Sequence, residues 1–332
     1  MSAGRFESPE DFVVEEMPAY EPEGRGDHTF LWVEKRLQTT EQVARALARA
    51  TGVASRDVGY AGRKDRFAVT RQYFSVPGLD VLAAKDLALP GASVLRAVAH
   101  RHKLRTGHLK GNRFSLRVHG LSVEVLEGVG RRASALEEIG LPNRFGPQRF
   151  GRDGGNPEQG RRLLAGESLR VDRREARFLV SALQARVFDE VLRARPLPLD
   201  RVEPGDLARK TDTGGLFLVE DAEVENVRAA RFEISATGPI FGTRMEQPGG
   251  AVAARERDVM LANGIDPESL RPPKGVRMRG ARRPLRVPVR ALALEVEDDR
   301  LTLGFELPAG SYATVVLEEL LGSVPEAVSS RA

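Results

Sequence analysis

Short alternations of apolar and polar residues along the chain predict β-strands. The alternating segments are residues 114–118, residues 291–296 and residues 301–305, and Pro9–Glu16 and Thr29–Val33 are further short strand candidates between turns. Only Asp298 and its polar neighbours separate residues 291–296 from residues 301–305, so these two segments predict a β-hairpin.

Apolar residues recur every three or four positions in other segments, which predicts α-helices. These segments are the one between Thr39 and Gly52, residues 123–139, residues 175–193, residues 255–263, and a last helix that ends at Leu321. Thr39 and Gln42 fit a capping box at the start of the first helix, and Gly52 is suited to end it.

Two segments that contain glycine and proline predict loops. Residues 140–157 are rich in glycine, proline and asparagine, and they predict a loop at a domain boundary. Residues 235–242 predict a second loop, lining a cleft between two domains. Strands and helices are mixed without regular βαβ alternation, which indicates an α+β fold with antiparallel sheets.

Residues 59–75 predict a strand, a glycine-assisted turn and a second strand. The turn carries Asp65 among three cations, Arg63, Lys64 and Arg66, and these cations favour an ionised carboxylate. Most charged turns of this kind are solvated surface loops. Loops between rigid strands also carry binding and catalytic residues, so Asp65 is a candidate for either reading.

Composition excludes several classes of site. The 332 residues include no cysteine, which excludes disulfides, thiolate metal sites and cysteine catalysis. There is no apolar run long enough to span a bilayer and no apolar core of a signal peptide at the N-terminus. We therefore expect a cytoplasmic protein without membrane association.

Basic residues are segregated in two windows that contain no acidic residue, residues 87–122 and residues 269–294. Segregated positive charge is typical of a protein that binds a polyanion. From the first window we select Arg101, Lys103, Arg105 and Lys110 as the cations that would contact this polyanion. A surplus of surface arginine without a partner is the alternative. No metal site is expected at His100, His102 and His108, because cations surround them.

Five separated strings resemble the TruD family of tRNA pseudouridine synthases. They are Asp11-Phe12-Val13-Val14, Ala61-Gly62-x-Lys64-Asp65-x-x-Ala68-Val69-Thr70-x-Gln72, Lys110-Gly111-Asn112-x-Phe114, Pro142-Asn143-x-Phe145-Gly146-x-Gln148-Arg149-Phe150-Gly151, and Leu307-Pro308-Ala309-Gly310-Ser311-Tyr312-Ala313-Thr314. They occur in the family's order and cover nearly the whole chain.

The resemblance implies a role for each matched residue. Asp65 falls where the family has its nucleophilic aspartate. The residues that correspond to its substrate contacts are Phe12, Lys64, Asn112, Phe114 and Tyr312. The family usually has phenylalanine at the position of Tyr312, and tyrosine keeps the stacking face. The division of tasks among Arg63, Lys64 and Arg66, between tuning Asp65 and holding phosphate, stays open.

The resemblance also implies the reaction and the domains. We expect isomerisation of uridine-13 of tRNA to pseudouridine, without cofactor or metal and without an obligate protein partner. A catalytic domain with a mixed, mainly antiparallel sheet would comprise residues 1–139 and 284–332, and residues 140–283 would be an inserted α/β domain. The alternatives are an inactive RNA-binding protein on the same fold and a glycoside-cleaving hydrolase, which normally needs two carboxylates.

Overall fold

The structure is a computed structural model that describes residues 4–151 and 153–326. The chain divides into two compact units. The first comprises Met1–Ser134, Val289–Ala313 and Leu317–Ala332, and the second comprises Ala135–Pro288 and Thr314–Val316. Within the described residues, no helix is both long and apolar enough to cross a membrane.

The helices of the described residues are α1 (Thr40–Thr51), α2 (Val123–Ile139), α3 (Asn156–Leu164), α4 (Arg173–Ala194), α5 (Ala222–Ala230), α6 (Gly250–Ala262) and α7 (Ala313–Leu321). Short 3₁₀ turns occur at Pro9–Asp11, Ala83–Asp86 and Pro147–Arg149. The capping box of Thr39 and Gln42 is present, and Gly52 ends α1 in the left-handed conformation with φ of 73°. Both predictions for this helix are confirmed.

The strands are β1 (Phe12–Pro18), β2 (His28–Arg36), β3 (Gly59–Tyr60), β4 (Val69–Pro77), β5 (Ala92–His100), β6 (Leu109–Val118), β7 (Leu141–Pro142), β8 (Leu207–Lys210), β9 (Leu216–Leu218), β10 (Ile234–Ile240), β11 (Ala281–Pro284), β12 (Arg286–Val287), β13 (Arg290–Glu297) and β14 (Arg300–Pro308). The predicted C-terminal hairpin is β13 and β14, and Asp298 in its turn has φ of 51°.

One sheet organises the first unit, with the strand order β13-β14-β6-β1-β4-β2-β5 and with β3 paired to β4. In this sheet β1 and β4 run parallel, and the other pairs of described strands are antiparallel. The predicted α+β class with a mixed, mainly antiparallel sheet is confirmed. One face of this sheet is covered by α1, whose Val43 and Leu47 pack with Leu31, Val33 and Phe74 in a buried cluster.

The core of the second unit forms around α4, whose apolar residues are buried on most of its circumference. The predicted loop at residues 235–242 is wrong, because β10 lies there between β11 and β8. Pro239 is compatible with a strand because only β11 pairs with this end of β10, opposite Arg282. A missing N–H therefore costs no ladder hydrogen bond on the unpaired side.

The second basic window is not a uniform surface patch, contrary to the sequence-based interpretation. Arg282 is buried and forms two hydrogen bonds to Glu256, at 2.8 Å and 2.6 Å. Its guanidinium also donates to the carbonyl of Thr237 at 2.7 Å. Because such a cation already has buried partners, it cannot also contact a phosphate from outside.

Arg286 is another buried cation of this window, with 2 % of its surface exposed. It donates hydrogen bonds to the carbonyls of Ile139 and Ala229, near the C-terminal ends of α2 and α5. Its guanidinium also lies 3.9 Å from the ring centroid of Phe232. A cation at a helix C-terminus satisfies unpaired carbonyls and the helix dipole, so one side chain stabilises two helix ends.

We expect Arg286→Met to lower the free energy of unfolding by about 2 to 3 kcal/mol, because two charge-assisted hydrogen bonds are lost while the side-chain volume is kept. Urea unfolding followed by circular dichroism measures the change. Arg290→Met is the matched control, since Arg290 is exposed, and its effect should stay within about 0.5 kcal/mol. Equal stability of the two variants would contradict this account of Arg286.

Candidate active site

Asp65 lies in the loop between β3 and β4 and is exposed. One carboxylate oxygen, Oδ1, accepts a hydrogen bond from the backbone N–H of Phe67 at 3.0 Å. This local turn fixes the orientation of the carboxylate relative to its own backbone. The loop therefore presents an acidic side chain to solvent from a backbone that is held in place.

Side chains from α1 and β4 hold the backbone of this loop from the inside. Thr40 accepts a hydrogen bond from the N–H of Lys64 at 2.9 Å and donates to Gln72 at 2.9 Å. Gln72 donates in turn to the carbonyl of Gly62 at 3.0 Å. Thr40 and Gln72 are both fully buried, so this network is shielded from competing water.

The three cations beside Asp65 in sequence have partners elsewhere, contrary to the expectation that all of them surround its carboxylate. Arg63 lies 2.6 Å from Glu41, and Arg66 donates to the carbonyl of Leu37 at 3.4 Å. Lys64 points to the sheet interior, where its Nζ lies 2.8 Å from Glu16 Oε2. Each of the three cations thus has its partner on a different segment of the chain.

Glu16 and Lys64 form a buried ion pair, with 1 % and 4 % of their side chains exposed. The other carboxylate oxygen of Glu16, Oε1, accepts a hydrogen bond from the N–H of Tyr73 at 3.3 Å. Burial raises the pKa of Glu16, and the ammonium of Lys64 opposes this rise. The pair connects β1, β4 and the Asp65 loop.

Lys35 is a second buried ammonium beneath the loop, with 1 % of its surface exposed. It donates to the carbonyls of Asp65 and Gln38, both at 2.7 Å. Burial lowers the pKa of Lys35 to about 8, and the negative charge of Asp65 opposes the decrease. Lys35 is thus a cation that contacts the backbone of Asp65 directly.

The predicted aromatic residues Phe12 and Phe114 come together on the face of the sheet that also carries Glu16. Their ring centroids are 6.5 Å apart in an edge-to-face arrangement. Phe114 is only 6 % exposed and stacks on Phe305 at 5.1 Å, whereas Phe12 is partly exposed. Phe12 therefore has part of its surface accessible to a ligand, while Phe114 is buried beside it.

Asn112 is the register partner of Glu16 across β1 and β6, so the two side chains point to the same face. Its Oδ1 is buried and has no hydrogen-bond partner among the residues that the structure describes. Tyr312 is the N-cap residue of α7, a few residues after Pro308, which pairs with Gly111. The chain thus brings Tyr312 back to the end of β6 that carries Asn112.

The first basic window supplies a loop, residues 101–108, that is joined to the Asp65 loop by a backbone hydrogen bond from Gly107 to Ala61 at 2.8 Å. Arg101, Arg105 and Lys110 are exposed, and Arg101 pairs with Glu23 at 2.9 Å. Lys103 is partly buried and donates to the carbonyl of Arg56. The described residues contain no group of three or more histidine, aspartate or glutamate side chains able to hold a metal ion.

Sequence reasoning missed Glu16, Lys35 and Thr40. A weak signal exists for the first two, because each continues the inward-facing register of an apolar alternation: Phe12 and Val14 precede Glu16, and Leu31 and Val33 precede Lys35. A charged residue at an inward position requires a partner. That pattern identifies a buried ion but not the loop that it contacts.

Comparison with known proteins identifies the chain's relatives. The sequence profile of the family described as "tRNA pseudouridine synthase D (TruD)" matches residues 4–171 and 165–320. The chain is 44 % identical to a tRNA pseudouridine synthase D of Thermus thermophilus, covering 94 % of this chain and 87 % of that protein. It is 39 % identical to the protein of the same name from Geobacter sulfurreducens, covering 95 % of this chain and 93 % of that protein.

A solved structure gives the same fold. A crystal structure from Methanosarcina mazei, described as a putative tRNA pseudouridine synthase D, matches with a TM-score of 0.78 over 97 % of this chain and 94 % of that chain. The sequence identity of this pair is 21 %, so the likeness is one of fold.

We expect the stability difference between the wild type and Lys35→Met to depend on pH. Between about pH 8 and 10, the unfolded chain holds a proton that folded Lys35 has released, so the wild type gains about 2 kcal/mol relative to the variant over this interval. Urea unfolding at several pH values measures this. The control Lys85→Met removes an exposed lysine, so its free energy of unfolding should change with pH in parallel with that of the wild type. A parallel curve for Lys35→Met would refute the lowered pKa of Lys35.

Proposed function

This chain belongs to the TruD family of tRNA pseudouridine synthases, and we propose that it converts uridine-13 of tRNA to pseudouridine with Asp65 as its catalytic carboxylate. The observation that carries the proposal is the position of Asp65. Its side chain is exposed on a loop whose backbone is held by Thr40, Gln72 and Lys35. A carboxylate held in this way is accessible to a nucleoside yet fixed in direction.

The reaction rearranges bonds within one nucleoside. The bond from C1′ of the ribose to N1 of uracil breaks, the base turns, and C1′ bonds to C5. The hydrogen on C5 is lost and N1 gains one, so atoms and electrons balance without an oxidant or reductant. Asp65 acts on C1′, either as a nucleophile or by stabilising the positive charge that develops on the ribose.

The target base must leave its stack before the carboxylate can reach C1′, which costs a few kcal/mol. Phe12 and Tyr312 are the proposed stacking partners. The ring of Phe114 packs edge-to-face with that of Phe12, with 6.5 Å between the ring centroids. Asn112 is the proposed polar contact: its buried Oδ1 has no hydrogen-bond partner in the described part of the chain, and N3–H of uracil is a donor that would satisfy it. Stacking also keeps the detached base from exchanging with water.

The RNA backbone is proposed to bind at Arg101, Lys103, Arg105 and Lys110. The exposure of three of these cations and the connection between residues 101–108 and Ala61 support this, because phosphates bound there would lie beside the Asp65 loop. We also propose that residues 1–139 and 284–332 form the catalytic domain and that residues 140–283 form the inserted domain. The division of the chain into two compact units supports this assignment.

We expect Asp65→Asn to lower the rate of pseudouridine formation by at least about 1,000-fold while tRNA binding stays within about 2-fold, since the amide keeps the shape but loses the charge. The assay uses a tRNA transcript with tritium on C5 of uridine, which is released when C5 bonds to C1′. Asp86→Asn is the matched control, because it removes an exposed carboxylate 21 residues after Asp65 in the sequence.

The same assay separates the alternatives. Retained activity of Asp65→Asn would remove Asp65 from the mechanism. Binding of tRNA by the wild type without tritium release would indicate an inactive RNA-binding protein. Free uracil in the products would indicate a hydrolase.

We expect Arg105→Ala to weaken tRNA binding and to reduce the dependence of log Kd on log salt concentration by about one. The matched control is Arg113→Ala, from the same basic window. Arg113 pairs with Glu306 at 2.7 Å, and it points to the opposite face of β6 from Phe114. Titrations at several salt concentrations measure both; equal losses for the two variants would contradict the location of the RNA path.

A further inference from the structure

Glu16 and Lys64 are oppositely charged side chains buried on the inward face of the sheet, which carries both polar and apolar residues. Their neighbours on this face include the buried residues Val14, Phe114 and Leu116. Burying two charges carries a large desolvation cost, and an apolar pair of similar volume is often at least as stable. A buried charged pair is therefore weak evidence of a purely stabilising role.

The location of the pair suggests what else it does. Lys64 precedes Asp65, so the Cα atoms of the two residues lie about 3.8 Å apart and a shift of one displaces the other. Glu16 is paired in register with Asn112, the residue proposed to contact uracil. The ion pair thus spans the distance between the proposed carboxylate and the proposed base contact.

The carboxylate of Glu16 is itself held in one orientation. Its Oε2 contacts Lys64 at 2.8 Å and its Oε1 accepts from the N–H of Tyr73 at 3.3 Å. Because Tyr73 of β4 holds one oxygen of this carboxylate, the other oxygen restrains the ammonium of Lys64 at a fixed place relative to the sheet. Thr40 and Lys35 restrain the loop backbone on either side of the Lys64 side chain, so Glu16 supplies the restraint that connects the loop to β1.

We propose that Glu16 is a positioning residue of the reaction: it holds the ammonium of Lys64 against β1 and thereby fixes the Asp65 carboxylate relative to Asn112. The inference rests on the proposed function and adds a residue that acts through Lys64, without contact to the substrate. Misplacement of a reacting group by about 1 Å costs on the order of 100-fold in rate. The expected effect is therefore on the chemical step and not on tRNA binding.

Glu16→Asp is the primary test, because it keeps both charges but withdraws the carboxylate by one methylene. We expect the single-turnover rate of tritium release at saturating tRNA to fall about 10- to 100-fold, with the Kd for tRNA within about 2-fold of the wild type. Glu15→Asp is the matched control. Glu15 is the preceding residue on β1, points to the other face and pairs there with Arg71 at 3.5 Å, so its variant should keep the wild-type rate.

A double variant, Glu16→Gln with Lys64→Met, covers the case in which Glu16→Asp does not fold. It removes both charges at nearly the same volume, so no buried charge is left unpaired. If the pair only neutralises charge, this variant will fold and react at the wild-type rate, and the proposal is overturned. If the pair positions Asp65, the variant will fold and bind tRNA but react slowly.

The outcomes separate this inference from the proposed function. If the wild type releases tritium and Asp65→Asn does not, the proposed function stands. A wild-type rate for Glu16→Asp then overturns only the role of Glu16. Absence of tritium release by the wild type counts against the proposed function itself. A slow Glu16→Asp with unchanged tRNA affinity supports both.

Discussion

The structure of the first unit depends on one constraint: an exposed loop that carries Asp65 must be held rigidly by groups that are themselves buried. Three buried side chains and the Glu16–Lys64 ion pair hold the loop on the inward side of the sheet. Thr40 and Gln72 bind the backbone around Gly62 and Lys64, and Lys35 binds the carbonyl of Asp65. Each of these groups is satisfied by hydrogen bonds, which makes a polar network beneath a loop compatible with a stable core.

Charge in this chain has two different physical uses. Arg101, Arg105 and Lys110 of the first basic window are exposed, whereas Arg282 and Arg286 hold the second unit together from within. An acid-free window in the sequence does not distinguish these uses, because a buried arginine can be balanced by carbonyl oxygens or by a distant glutamate. Glu256 lies 26 residues before its partner Arg282.

Partners that lie far apart in the sequence also explain why the sequence predicts the loop of Asp65 correctly but not the charged groups around it. Arg63 and Lys64 are adjacent in the loop but pair with different elements, so neighbours in sequence do not share an environment. Arg63 reaches Glu41 of α1, and Lys64 reaches Glu16 of β1. Lys35, which contacts the Asp65 backbone, is 30 residues away in the chain.

The sequence alone determined features that depend on neighbouring residues. The capping box at Thr39, the end of α1 at Gly52, the C-terminal hairpin and the α+β class follow from local periodicity and turn chemistry, and the resemblance to TruD follows from contiguous strings. The tertiary structure decided which groups meet across strands: Glu16 with Lys64, Lys35 with Asp65, and β10 as a central strand in spite of Pro239. These depend on strand order and register, and pairings between distant segments are not encoded in the spacing of residues within either segment.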